Sequence, residues 1–300
     1  MNNREILEFT LNKLMQKGAQ KAELSLQVSE KEELETASGK LNLFRTTQEK
    51  NLNLTALIDD KKGSVQINKL AKDEILEAVD QVIELARSSQ ADPANDIAPL
   101  QTPEQFTRGP EKPDHDLMYD RLNDFLIFTR ERFPKIILEQ VILDFNISYN
   151  NYLNSNGVAF SSRESGYNFF PMFTAKDGEK TSSFNYTAVS SKNLDRELAN
   201  WGVTADLLAQ SSEQVETSAL EKKFVGDIIV TPDCLGEFIG YLTAYLREYS
   251  LISGNSIYLN KLGEKIAHEQ LSLHSKPLSD ELDEGYFFTQ DGFKVNDSTI

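Results

Sequence analysis

The sequence predicts an α+β fold, in which an N-terminal helix and antiparallel-sheet domain precedes a β-rich mixed domain. Apolar and polar residues alternate with a period of two through much of 21–58, as in half-buried strands. Residues 72–89 instead repeat apolar side chains at helical spacing. Asn156-Gly157 and Asp177-Gly178 mark tight turns between strand-like runs in the middle of the chain.

The predicted N-terminal domain covers 1–90. It opens with a helix from Asn3 to Lys17, and Gly18 suits the left-handed position that often follows a helix. Short connections, among them the turn DDKKG, separate the strand-like runs, so an antiparallel meander is expected. The predicted strands and the helix that closes the domain are 21–30, 39–45, 51–58, 64–68 and 72–89.

A Pro-rich connector is predicted over 91–115. Because proline removes a backbone donor and fixes φ, this stretch predicts neither a long helix nor a central strand. A long loop inside one domain and a linker between two domains both fit the composition. Five of the nine prolines of the chain fall here: Pro93, Pro99, Pro103, Pro110 and Pro113.

The middle region, 116–220, is predicted to contain a helix and an antiparallel sheet. A helix is expected over 116–133, a β-rich segment over 136–190, and a second helix from 193 to 210 or as far as 219. The β-rich segment is dense in Phe, Tyr and Asn. Such a composition is typical of a packed sheet, although a peptide-binding surface uses the same residue types.

Residues 221–300 are predicted to begin a C-terminal domain. The run FVGDIIV (224–230) indicates a buried strand, and 234–249 a helix packed on a sheet. Cys234 is the single cysteine and has no neighbouring histidine, so a small buried side chain is expected rather than a nucleophile. The apolar stripe of the helix comprises Leu235, Phe238, Ile239, Leu242, Leu246 and Tyr249.

Charge and composition argue against several classes of function. A formal net charge of −16 repels phosphate backbones and anionic lipids, so neither direct nucleic-acid binding nor membrane docking is expected. The sequence has no apolar run long enough to span a bilayer, and its first residues lack the organisation of a signal peptide. A cytoplasmic location is therefore expected. The sequence contains neither a Gly-rich phosphate loop nor a GxSxG nucleophile elbow.

The order of several motifs along the chain resembles the TldD/PmbA family, whose members are also called modulators of DNA gyrase. The resemblance covers essentially the whole chain, and no single motif is decisive. It is carried, in chain order, by ASGKLNLFRTTQEKNLNLTALIDDKKGSVQINKL, NSNGVAFSSRESGYNF, TPDCLGEF, SGNSIYLNKLGEKIA and LSDELDEGYFFTQDGF.

The resemblance implies the fold of that family, whose members continue beyond the point that corresponds to residue 300. The C-terminal β portion is therefore expected to be incomplete here, because the chain is either shortened or a fragment. The family has two versions. TldD-type members resemble zinc metalloproteases and carry HExxxH on the helix that corresponds to 234–249, with a later cysteine as a further ligand. PmbA-type members, also called TldE, lack the motif and pair with TldD in a heterodimeric protease.

The HExxxH motif is absent from this sequence, since no His, Cys, Asp or Glu lies between Phe238 and Arg247. The acidic run DELDE (280–284) lacks the spacing of a calcium loop and indicates a solvated loop. We therefore assign no catalytic, cofactor-binding or metal-ligating residue, and no cofactor. The three histidines lie elsewhere, without helical ligand spacing: His115, His268 and His274.

The leading hypothesis is a non-catalytic PmbA/TldE-type subunit of a TldD-like zinc metalloprotease that processes peptides. Its partner would be a TldD-type subunit in a heterodimer, or a second copy of the chain. Two alternatives stay open. The chain could be a metallopeptidase with an unrecognised metal site, or a non-enzymatic module that binds peptides or proteins on the aromatic sheet of 136–190. Direct action on DNA gyrase gains no support from the sequence.

Overall fold

The computed structural model of the chain describes residues 1–37, 39–219, 222–280, 282 and 285–299. The chain divides into two compact units. Met1–Val215 and Lys276–Asp297 form the larger unit, and Glu216–Ser275 with Ser298–Ile300 form the smaller one. The predicted α+β fold class is confirmed, since the larger unit combines helices with a large mixed sheet.

The first helix, α1 (Asn3–Gln16), begins where the sequence predicts. The Asn2 side chain accepts a hydrogen bond from the backbone N–H of Glu5, and the Glu5 carboxylate accepts one from the backbone N–H of Asn2. This reciprocal cap satisfies donors that the first turn of a helix leaves unpaired. The apolar side of α1 packs on the first strands of the sheet.

The first three strands form the predicted antiparallel meander: β1 (Lys21–Ala37), β2 (Lys40–Ile58) and β3 (Lys61–Ile67). The prediction of separate strands at 39–45 and 51–58 is wrong. The polar run TTQEK between them pairs in register with β1 and continues β2. Backbone partners on β1, rather than burial of side chains, hold this run extended.

A tight turn joins β2 to β3, and a helix covers the pair. Asp59 and Asp60 adopt φ values of 52° and 61°, as the two central residues of a type I′ hairpin turn require. The predicted helix then forms as α2 (Lys72–Ser88). Its apolar stripe packs with α1 against β1 and β2, with Val79 and Val82 fully buried.

The Pro-rich connector contributes one short strand, β4 (Glu104–Arg108), which pairs in parallel at the edge of the sheet. The edge position agrees with the proline content, because the prolines flank the strand and leave its backbone donors intact. Helix α3 (His115–Arg132) follows, close to the predicted range. The side chain of Asp114 caps it by accepting a hydrogen bond from the backbone N–H of Leu117.

The β-rich segment forms a long hairpin of β5 (Ile136–Asn154) and β6 (Ala159–Asp177). The predicted turn at Asn156-Gly157 is present, with Gly157 at a φ of 94°. Three short strands then pair with β6: β7 (Lys180–Thr181), β8 (Asn185–Tyr186) and β9 (Val189–Ser191).

Within the described residues, the main sheet follows the order β3-β2-β1-β5-β6-β4, with β7, β8 and β9 attached to β6. Neighbouring strands are antiparallel except β4 and β6. Because β1 pairs with β5 along 15 residues from Glu23 to Ala37, the segments 1–90 and 116–220 contribute strands to one sheet. The domain boundaries predicted after residues 90, 115 and 220 stay a prediction.

The predicted helix over 193–210 is wrong in its first half. A 3-10 turn at Leu198–Asn200 precedes helix α4 (Thr204–Glu213). Gly202 lies between them at a φ of 54°, a left-handed conformation that breaks a helix. Trp201 is fully buried against α4 and β6, so tertiary packing of the indole determines the chain path here.

The smaller unit contains helices α5 (Pro232–Ala244) and α6 (Glu248–Ile252) and the paired strands β10 (His274–Ser275) and β11 (Ser298–Thr299). The predicted single helix over 234–249 is wrong, because Arg247 has an extended backbone between α5 and α6. The predicted buried strand at 224–230 is also wrong, since these residues form no regular element and are largely exposed.

The apolar stripe of 234–249 was expected to pack on a sheet, but much of it is exposed, including Phe238 at 58%. The Cys234 side chain is exposed too, against the expectation of burial. The spacing of apolar residues predicts which side chains share one face of a helix. It does not predict which other element packs on that face, because that depends on distant parts of the structure. None of the described helices combines the length and the apolar character that crossing a bilayer requires.

Candidate functional site: a polar groove on the sheet

The two faces of the main sheet differ in character. Successive side chains of a strand point to opposite faces, so Leu24 and Leu26 of β1 face the helices while Ser25 and Gln27 face away. Helices α1 and α2 pack on the apolar face at one end, and α3 and α4 at the other. The opposite face, here called the outer face, carries mainly polar side chains in its central strands.

Strand register aligns side chains of the outer face, most of them polar, in two rows that cross the sheet. The first row passes from Asn51 of β2 through Gln27 and Asn150 to Ser162 of β6, each directly opposite the next. The second row passes through five strands: Gln66, Asn53, Ser25, Tyr152 and Phe160. Directly opposite residues interact across strands, so both rows form a continuous floor.

Hydrogen bonds between side chains hold this floor together. The Asn150 amide donates to Ser162 Oγ at 3.3 Å, and Gln27 donates to Ser148 Oγ at 3.4 Å. On the other side, Asn53 donates to Ser25 Oγ at 3.1 Å. Gln66 in turn donates to Asn51 Oδ1, also at 3.1 Å. The amides are therefore oriented by their neighbours before any ligand binds.

Residues 285–295, here called the strap, form one wall above the floor. Phe287 stacks on Phe106 of β4 with ring centroids 4.7 Å apart and planes 10° from parallel. Phe288 packs on Phe160 with centroids 5.4 Å apart. Gln101 donates a hydrogen bond to the carbonyl oxygen of Gly292 at 2.7 Å. Aromatic packing and a hydrogen bond from a side chain to the strap backbone thus fix the strap on the β4 side of the outer face.

The floor and the strap enclose a groove of about 780 Å³. Its size lies in the range of small-molecule and cofactor sites. The lining of the groove includes residues of both rows and four charged side chains: Glu23, Lys62, Glu164 and Asp291.

One end of the groove is built around Glu23 and Tyr152. The Tyr152 hydroxyl donates a 2.7 Å hydrogen bond to Glu23 Oε2. Burial raises the pKa of Glu23; the Tyr152 bond and the Lys62 charge oppose this shift, and Asp291 adds to it. Burial and the bond to Glu23 raise the pKa of Tyr152, so the phenol stays protonated. A carboxylate desolvated in this way gains from a cation placed beside it.

The other end contains Glu164, which accepts a hydrogen bond from Ser162 Oγ at 3.0 Å. Burial raises the pKa of Glu164, while the Ser162 bond and Arg108 lower it. Arg108 is largely buried; its guanidinium lies 4.9 Å above the Phe287 ring and donates to the Pro277 carbonyl at 3.0 Å. This arginine links β4 to the strap next to the groove.

A second charged cluster lies farther along the outer face. Buried Glu33 contacts Lys31 Nζ and Arg45 Nη2, each at 2.8 Å. Asp144, opposite Glu33 on β5, accepts a 2.7 Å hydrogen bond from Asn168. Burial raises the pKa of Asp144; the Asn168 bond and Lys31 oppose the shift, and Glu33 adds to it. These contacts are internal to the sheet and indicate a structural role.

The side chains considered as metal ligands do not come together. His115 lies at the start of α3, where Nε2 contacts Glu32 Oε2 at 2.6 Å. His268 Nδ1 accepts from the backbone N–H of Gln270, and His274 Nδ1 lies 2.9 Å from Thr299 Oγ1. No helix of the described residues contains two histidines, so the residues present do not fit the zinc site of HExxxH proteins. Among the described residues, no three His, Cys, Asp or Glu side chains cluster as a metal site would require.

The acidic run 280–284 lies partly outside the described residues. Of the aromatic residues in 136–190, Phe145, Phe169 and Phe173 are buried beneath α3 and α4, whereas Tyr149, Phe184 and Tyr186 are exposed. A binding surface on this segment stays a prediction. The groove was not predicted. The signal for it was present as Asn, Gln and Ser at alternate positions of β1, β2 and β5, but only strand register brings them together.

Two family models match the sequence. The model for PmbA/TldA metallopeptidase domain 1 matches residues 22–86, and the model for the PmbA/TldA metallopeptidase C-terminal domain matches residues 223–300. The first match covers β1, β2, β3 and most of α2, and the second covers α5, α6 and the strap. A comparison with curated proteins found no significant match.

Solved structures of three proteins share the fold. TldE from Thermococcus kodakarensis superposes with a TM-score of 0.77 at 13% identity, over 98% of this chain and 67% of that one. A candidate modulator of DNA gyrase from Thermotoga maritima gives a TM-score of 0.71 at 13% identity, over 99% and 68%. Another from Bacteroides thetaiotaomicron gives 0.70 at 20% identity, over 99% and 69%. The chain thus spans about two thirds of the length of each of these proteins. At sequence identities of 13–20%, the likeness shows a shared fold only.

Proposed function

Because this chain belongs to the TldD/PmbA family of metallopeptidase-type proteins, we propose that it is a TldE-type, non-catalytic subunit of a TldD-like zinc metallopeptidase. In this role it pairs with a TldD-type partner in the cytoplasm and takes part in peptide processing. The observation that carries the proposal is the composition of α5 and the residues that follow it.

The segment from Phe238 to Leu246 offers only apolar, hydroxyl and phenol side chains. A zinc site of the HExxxH kind needs two imidazoles on one helix face and a carboxylate to activate the bound water. Helix α5 retains the fold but, because it has no imidazole, cannot build this zinc site. Catalysis in an assembly that contains this chain is then the task of a partner with the motif.

Exposed apolar side chains of the smaller unit support association with such a partner. Phe238, Tyr241 and Leu242 on α5 are each at least 40% exposed, and Ile228 and Ile229 are more so. Exposed apolar surface of this extent is usually covered by another protein or by a further part of the same chain. These residues are therefore the expected contact area.

Co-purification with a TldD-type protein that carries HExxxH tests the proposal. We expect association at micromolar concentration, and peptidase activity that depends on the histidines of the partner. Phe238→Asp should weaken association about ten-fold or more by placing a charge in the contact area. Phe184→Asp is the matched control, because Phe184 is 54% exposed in the larger unit. Absence of association, or equal loss in both variants, would contradict the proposal.

Metal analysis separates this function from that of a self-sufficient metallopeptidase. The purified chain is expected to bind no stoichiometric zinc and to cleave no peptide alone. The enzymatic role would be supported instead if the chain bound one equivalent of zinc and cleaved peptides in a chelator-sensitive way. In that case His268→Ala or His274→Ala should abolish zinc binding.

A further inference from the structure

The polar groove of the larger unit has the dimensions of a site for an extended chain. Its second row crosses five strands, and neighbouring strands lie about 4.8 Å apart, so the row is about 19 Å long. An extended peptide rises about 3.3 Å per residue, so about six residues span this length.

The chemistry of the floor suits a peptide backbone. A side-chain amide offers two N–H donors and an oxygen with two lone pairs. Among the described residues, hydrogen bonds within the floor engage one or two of these positions on Gln27 and Asn150, which leaves capacity for a ligand. A backbone presents the matching C=O and N–H groups at every residue.

The charges at the Glu23 end indicate which peptide would fit. Glu23 and Asp291 both line the groove next to Tyr152, whose hydroxyl contacts the Glu23 carboxylate and the Asp291 carbonyl. Lys62 is the cation in the lining at this end, and Glu164 at the far end has Arg108 beside it. Counting these five side chains, negative charge exceeds positive by one, and the excess lies at the Glu23 end.

We propose that this groove binds an extended peptide that contains a lysine or arginine, with the backbone crossing the five strands between the two rows of the floor and the cationic group next to Glu23 and Asp291. The inference rests on the proposed function for its choice of a peptide over other polar polymers. It adds a binding site in the larger unit, a preferred side chain and a ligand length.

Fluorescence anisotropy with the full chain and labelled hexapeptides tests the inference without any partner. One peptide contains a single central lysine in a neutral, uncharged sequence, and two matched peptides carry glutamine or glutamate in its place. We expect saturable binding of the lysine peptide, about ten-fold weaker binding of the glutamine peptide, and no detectable binding of the glutamate peptide.

Two variants and two matched controls locate the site. Glu23→Gln keeps an acceptor for Tyr152 but removes the charge, and should weaken the lysine peptide about ten-fold while leaving the glutamine peptide unchanged. Gln27→Ala removes an exposed floor amide and should weaken both peptides. Glu77→Gln and Gln81→Ala make the same changes on exposed positions of α2, across the sheet, and should alter neither.

Equal affinity for the lysine and glutamate peptides would overturn the inference, as would equal losses in Glu23→Gln and Glu77→Gln. Displacement of the lysine peptide by a neutral oligosaccharide would reassign the groove to a sugar. Lack of peptide binding by a chain that still associates with its TldD-type partner would refute this inference alone and leave the subunit role standing.

Discussion

Replacing Gly292 by alanine tests whether the packing of the strap on the floor of the groove is as tight as the structure indicates. Gly292 has a φ of 78°, and a Cβ at this position would overlap the Tyr152 ring. The ring has little room to yield, because Tyr152 is only 2% exposed and its hydroxyl is bonded to Glu23 at 2.7 Å.

Two effects are expected to lower the free energy of unfolding of Gly292→Ala. A left-handed conformation costs an alanine about 1–2 kcal/mol relative to glycine. Displacement of the ring also breaks the hydrogen bond to the Glu23 carboxylate, and such bonds contribute about 1.5–3 kcal/mol. Gly178→Ala isolates the first part, since Gly178 has a φ of 61° and its Cβ would meet no atom within 4 Å. Gly292→Ala should therefore lose about 1.5–3 kcal/mol more than Gly178→Ala.

Urea unfolding followed by tryptophan fluorescence measures both losses. Trp201 is the single tryptophan, and it is fully buried in the same unit as both glycines, so its emission reports the unfolding of that unit. Equal free energies of unfolding for the two variants would refute the reasoning. They would mean that Tyr152 moves aside at no cost and that the strap is loosely held.

Three further predictions concern the sheet and its core. Burial raises the pKa of Asp144, so the folded state binds this proton more tightly than the unfolded state and loses stability as the pH rises from the ordinary value of 3.8 through the raised pKa. Asp144→Asn should therefore have a higher melting temperature than the parent at pH 7, and the difference should shrink as the pH falls towards 3.8. A difference in melting temperature that does not change across that pH range would contradict this prediction. Glu33→Gln should lower the free energy of unfolding in urea by about 1–3 kcal/mol, because the buried carboxylate contacts two cations. Glu49→Gln, at an exposed position of β2, should leave it nearly unchanged. Equal losses in the two variants would show that the contacts of Glu33 do not stabilise the fold. Phe169→Ala should lose about 3–5 kcal/mol by leaving a cavity in the core beneath α3, and a loss below about 1 kcal/mol would show that the core collapses around it.

Elements whose signals are local were predicted well. Helix α1 carries its own cap in Asn2 and Glu5, and α2 its own apolar stripe, so both begin and end within a residue or two of the predicted bounds. The β2–β3 turn also needs only its two aspartates. Each of these features depends on neighbours within a few positions along the chain, where spacing alone carries the information.

Elements that depend on distant partners were predicted less well. The polar run within β2 forms a strand because β1 supplies hydrogen bonds, and α4 begins late because Trp201 turns into the core. Residues 224–230 have the composition of a buried strand without becoming one, since a strand requires a neighbour to pair with.

The sequence by itself determined the fold class, the resemblance to the family and the lack of imidazole ligands on α5, because these follow from residue types and their spacing. Only the tertiary structure decided that β1 pairs with β5, that the helices lie on one face, and that polar side chains from five strands form one groove. Strand register is the physical reason: a shift of one residue would move Gln27 and Asn150 to the helix-covered face, and burial of the apolar face sets that register.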